Sequence, residues 1–94
     1  MPVKLHQKGE KWRSINLDET ENQIRARVIM PNQFQSDSFR IKILDETKGI
    51  SLVIGRLKNK TTTTIQSYRF DKNKNWTIQK AISWLNENAK NRGN

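Results

Sequence analysis

The chain has no cysteine, one histidine, two prolines and four glycines in its 94 residues. Without cysteine there is no disulfide framework, no thiolate nucleophile and no cysteine-based zinc site. A single histidine cannot build a multi-histidine metal site within one chain. The glycines stand apart at 9, 49, 55 and 93, so no glycine-rich phosphate loop exists. No stretch approaches the roughly 18 consecutive apolar residues of a membrane span. The N-terminal residues lack the apolar core of a secretory signal. These absences lead to the expectation of a non-membrane, intracellular protein with no metal and no cofactor.

What is present is positive charge. Eighteen Lys and Arg stand against nine Asp and Glu, a net charge of +9. The pI is about 10.3 and the mean hydropathy is -0.91. Apolar residues make up 33%, a thin supply for a chain that buries about 60–68% of its unfolded surface on folding. One small domain is expected, with a homodimer or another partner available to cover more surface. The acidic residues gather at Asp18, Glu19 and Glu21, and the chain on either side is basic. Such an excess attracts polyanions.

Residues 1–23 show no sustained period, and they read as a flexible or loosely docked arm with Trp12, Ile15 and Leu17 as its anchors. From residue 24 the period becomes two. Ile24, Ala26, Val28 and Met30 alternate with Arg25 and Arg27, then Pro31 ends the strand. Phe39, Ile41 and Ile43 alternate with Arg40 and Lys42. A turn at 45–49 leads to a more uniformly apolar strand over 50–57 and, after a polar loop, to a fourth over 64–70. Thr77 then fits a helix N-cap. Behind it Ile78, Ala81, Ile82, Leu85 and Ala89 recur at helical spacing. The expected fold is α+β: an antiparallel meander of four or five strands with one C-terminal amphipathic helix on its apolar face. The domain is placed at 24–90 and a disordered tail at 91–94.

Residues 24–88 resemble a small domain common in phage and prophage genomes. The resemblance is carried by Phe39-Arg40, by the run from Lys48 through Gly55 to Lys58, and by Ile65 to Lys72. Its most specific part is the Phe70-Asp71-Lys72 turn leading to Trp76-Thr77, Ala81 and Trp84-Leu85. It departs from the pattern at 73–75, where the turn is longer. The resemblance implies a neighbourhood of head-morphogenesis genes and a location in the host cytoplasm or the virion. It implies no particular activity.

Catalytic readings are poorly supplied. His6 lies in the expected arm without a fixed orienting partner. Glu46-Thr47-Lys48, with Asp37 or Asp45, has the spacing of some metal-dependent nucleases, but the same residues are ordinary in a hairpin turn. Binding is better supplied. The phosphate-contacting candidates are Arg25, Arg27, Arg40 and Lys42 on one exposed sheet face, Lys58 and Lys60 in the flanking loop, and Lys72 and Lys74 before the helix. Tyr68 is the candidate for stacking on an unpaired base, with Trp12 second. The expectation is a non-catalytic protein that binds nucleic acid. The alternative is a phage assembly protein that docks on an acidic protein surface.

Overall fold

The computed structural model describes residues 5–7 and 10–88. The expected tail at 91–94 lies outside them, as does Ala89 of the helical stripe. Five strands form one antiparallel sheet: β1 (Leu17–Glu19), β2 (Gln23–Arg27), β3 (Arg40–Asp45), β4 (Ile50–Arg56) and β5 (Thr63–Asp71). One helix, α1 (Ile78–Asn88), follows. The α+β class therefore holds. The spatial order is β1-β2-β5-β4-β3, so only β3-β4-β5 runs as a meander. The β1–β2 hairpin joins it on the far side of β5.

Turn chemistry sets the hairpins. Between β1 and β2, the Gln23 N–H donates to Thr20 Oγ1 and the Thr20 N–H to the Gln23 carbonyl. Between β3 and β4, the Lys48 N–H donates to Asp45 Oδ1 at 2.9 Å, and Gly49 takes a φ of 73°, a left-handed conformation that glycine adopts without strain. The link from β2 to β3 crosses the end of the sheet. Phe34, in that link, bridges to Leu57, and the Gln35 N–H donates to the Arg56 carbonyl. The link comes so close to β4 that a Cβ on Gly55 would lie 2.9 Å from the Phe34 ring. Gly55 is there to permit that approach.

The helix covers one face. Thr77 caps it, accepting from the Lys80 N–H at 3.2 Å. Ala81 and Leu85 point down onto Ile24, Ala26, Ile50, Leu52, Tyr68 and Phe70, and all of these are buried. Trp76 donates its indole N–H to the Lys48 carbonyl and packs on Phe70. Trp84 meets Tyr68 and Phe70 edge-on, the offset geometry that aromatic quadrupoles favour.

Over its described part the expected arm is docked, with the expected anchors Trp12 and Leu17 buried and Ile15 39% exposed. Trp12 is 1% exposed and belongs to the core. Its ring lies edge-on to Tyr68 and is stacked by His6 at 4.0 Å. Its backbone is clamped by the side-chain amide of Asn86 in α1, which accepts from the Trp12 N–H and donates to the Trp12 carbonyl. Leu17–Glu19 then pairs with β2. The segment has no period because it is short, and its hold on the domain comes from one large anchor, one amide clamp and this short strand pairing.

Candidate functional site

Cross-strand register decides which side chains share a face, because residues directly opposite one another point the same way. Arg25 lies opposite Arg69, and Arg69 opposite Ser51. Arg27 lies opposite Ser67, Ser67 opposite Val53, and Val53 opposite Ile41. Asp18 faces Arg25 from β1. These side chains occupy the face that α1 leaves uncovered. Its β1-β2-β5 half is polar and basic, and its β3-β4 half is apolar.

In the basic half, two of three neighbouring guanidiniums share one carboxylate. Arg25 grips Asp18 with two hydrogen bonds, Nε to Oδ1 at 3.1 Å and Nη2 to Oδ2 at 2.8 Å. Arg27 Nη2 is 3.9 Å from the same Oδ2. Arg69 reaches only Gln23 Oε1, at 3.4 Å. Burial first, and then the charges of Arg25 and Arg27, push the Arg69 guanidinium below its ordinary pKa, with Asp18 opposing. An arginine stays protonated at any physiological pH, so the trio keeps a net positive charge. Two buried polar atoms nearby lack a hydrogen-bond partner among the described residues: Arg69 Nε and Ser67 Oγ. Both atoms are closed to solvent. Arg69 also borders two open grooves. One, of about 410 Å³, is lined by Pro31, Phe39, Ile41 and Val53 and also by Arg40 and Gln66. The other, of about 290 Å³, is lined by Gln23, Ile43 and Ser51 and also by three acidic residues, Asp45, Glu46 and Asp71.

The expected single basic face is therefore split. Arg25 and Arg27 lie on the open face. Arg40 and Lys42 lie opposite Ile54 and Leu52, which puts them on the other side of the sheet, at its β3 margin. The sequence reading turned Phe39, Ile41 and Ile43 toward the helix and Arg40 and Lys42 away from it. At the β3 edge the reverse holds, and Ile41 and Ile43 are the exposed residues on the open face. Arg40 also spends its guanidinium on the Asp37 and Phe39 carbonyls. Lys58 and Lys60 precede β5 and Lys72 and Lys74 follow it, so the pairs sit at opposite ends of a strand roughly 30 Å long. Lys72 is tied to Glu19 Oε2 at 2.8 Å. Lys74 lies over Gly49, where its side chain would meet an added Cβ.

Tyr68 is corrected most plainly. It is fully buried beneath α1 and cannot stack on a base. Trp12 is equally enclosed. Arg69 is the residue the sequence reading missed. Its signal was hidden by a register shift opposite Val53 and Ile54, where Ile65 pairs with Ile54 and Gln66 is left over. That bulge puts Ile65 and Tyr68 on the same side, which strict alternation forbids.

The catalytic candidates have structural roles here. The His6 ring stacks on Trp12, and its Nε2 donates to the Glu10 carbonyl at 2.6 Å. Glu46 and Lys48 form the β3–β4 turn, with Asp45 accepting from the Lys48 backbone. Among the described residues, no cluster of His, Asp and Glu could hold a metal ion. No described helix is long and apolar enough to cross a membrane. Comparison with protein-family models, curated proteins and solved structures gave no match.

Proposed function

We propose that this protein is a non-catalytic binder of nucleic acid that holds the phosphate backbone on its open sheet face. The observation that carries the reading is the arginine row, Arg25, Arg27 and Arg69, with Asp18 the one carboxylate in ion-pair contact with it among the described residues. A phosphate placed there meets the solvent-facing edges of half-buried guanidiniums. Release of counterions from the nucleic acid supplies the free energy. The net charge of +9 adds long-range steering. With Tyr68 and Trp12 enclosed, binding follows the backbone and reads few bases. The phage-type setting, in host cytoplasm or virion, is part of the same proposal and rests on the sequence resemblance.

The test is fluorescence anisotropy with labelled single- and double-stranded DNA and RNA at two salt concentrations. An Arg25→Ala/Arg27→Ala/Arg69→Ala variant is compared with a charge-matched Lys58→Ala/Lys60→Ala/Lys74→Ala variant. The arginine variant is expected to lose binding and to flatten the log–log salt slope by about 2–3. Equal losses in the two variants, or no binding by wild type at low salt, would overturn the reading. The second reading, docking on a protein, is favoured by a different feature, the edge formed by β3.

A further inference from the structure

We propose that the outer edge of β3 is a docking edge for an extended protein segment in which apolar and acidic residues alternate. The two edges of the sheet are unlike. β1 offers three residues, two of them acidic, whereas β3 offers six. Among the described residues, the backbone of residues 40–44 makes no hydrogen bond besides its ladder to β4. A strand with one row of N–H and C=O groups unpaired is a template for another strand.

The side chains define the partner. Ile41 and Ile43 are 70% and 63% exposed, the most exposed large apolar residues described. They stand on the open face beside the groove that Phe39 and Val53 line. By register Arg40 and Lys42 alternate to the other face, although Arg40 also lines that groove, and neither has a carboxylate within ion-pair distance among the described residues. An added strand alternates its side chains between these faces. Its apolar residues would cover Ile41 and Ile43, and its acidic residues would neutralise Arg40 and Lys42. A second copy of this chain fits less well. An antiparallel register that sets Ile41 of one copy against Ile41 or Ile43 of the other also sets Lys42 against Arg40 or against Lys42. Like charges directly opposite one another disfavour pairing.

The probe is a fluorescein-labelled, capped Glu-Val-Glu-Val-Glu-Val-Glu peptide, titrated into the full chain by anisotropy and followed in parallel by backbone amide NMR. The controls are the same peptide N-methylated at alternate residues and a Lys-Val repeat. Saturable binding is expected, with shifts concentrated at residues 40–45, affinity at least about tenfold weaker after N-methylation, and little binding of the Lys-Val repeat. An Ile41→Lys/Ile43→Lys variant should lose the interaction. An Arg40→Glu/Lys42→Glu variant should switch preference to the Lys-Val repeat, a gain that misfolding cannot produce. The proposal is overturned by any of four results: no binding at millimolar peptide, indifference to N-methylation, shifts centred on Arg25, Arg27 and Arg69, or a dimer of the free chain that closes through β3.

Discussion

The two faces of this sheet are made by the same strands, yet they were assembled by different physics. On the covered face, Ile24, Ala26, Leu52, Tyr68 and Phe70 lie under Ala81 and Leu85 and are nearly inaccessible to water. On the open face, one residue along each strand, stand Arg25, Arg27, Ser67 and Arg69, held by Asp18 and by little else. The covered face holds the fold together, because burial there removes apolar area from water at about 25 cal/mol per Å². The open face contributes little to stability, since partly exposed ion pairs are worth about 0–1 kcal/mol. A face that stability does not require is free to carry a ligand. Substitutions on the two faces should therefore move different measurements.

The largest expected effect is on the covered face. Trp12→Ala removes the anchor that joins the N-terminal segment to Tyr68 and to the Asn86 clamp. It should cost about 3–5 kcal/mol, a large part of the roughly 5–15 kcal/mol that holds a domain folded. Urea denaturation followed by far-UV circular dichroism would measure it. A loss below about 0.5 kcal/mol, the usual range of an exposed site, would restore the picture of a loose arm. Gly55→Ala comes next. Its Cβ would press on Phe34 at 2.9 Å and on Phe39 at 3.2 Å. Overpacking of this kind costs about 1–3 kcal/mol, and a fall in the urea midpoint with unchanged slope would report it.

Asp18→Asn sets the two faces against each other. The substitution deletes the carboxylate shared by Arg25 and Arg27. Stability should fall by about 0.5–1 kcal/mol, the upper range for a partly exposed pair. Nucleic-acid affinity should rise roughly fivefold, the effect of about 1 kcal/mol from removing one negative charge a few ångströms from a bound phosphate. Opposite movements of the denaturation midpoint and the anisotropy constant would separate binding from stability at one residue. Movement of both in the same direction would mean that Asp18 orders the arginines for binding.

How much of this could be read from the sequence follows from the range of each signal. The alternating strand 24–30, the more uniformly apolar strand 50–57, the fourth strand 64–70 and the Thr77-capped helix were legible, because alternation, short apolar runs, helical spacing and capping are local. The N-terminal segment was not, since the partner that fixes Trp12 lies 74 residues away. Arg69 was hidden by a single bulged residue, Gln66, which shifts the parity of β5 relative to β4. Arg40 and Lys42 were assigned to the wrong face for a third reason. Alternation gives two faces but does not say which is buried, and at the β3 edge every side chain is exposed or half-buried. Charge composition raised the expectation of an anionic partner. It did not locate the three arginines that converge.

Lys42→Ala is the smallest change and tests that last point directly. Lys42 stands opposite Leu52 on the margin of the covered side, away from the arginine row. Its removal should leave stability within about 0.5 kcal/mol of wild type. Nucleic-acid affinity should fall no further than for Lys58→Ala, a loop lysine with the same charge, and well short of the fall for Arg27→Ala. If net charge alone governed binding, the three variants would be equivalent. The edge gives Lys42 a different role, since a charged side chain there discourages pairing with other chains. With Ile41 and Ile43 already exposed, losing it should promote self-association at high protein concentration. Sedimentation velocity would detect this as a concentration-dependent shift that Arg27→Ala does not share. The open face would then be sensitive to guanidinium placement and the edge to the charge that guards it.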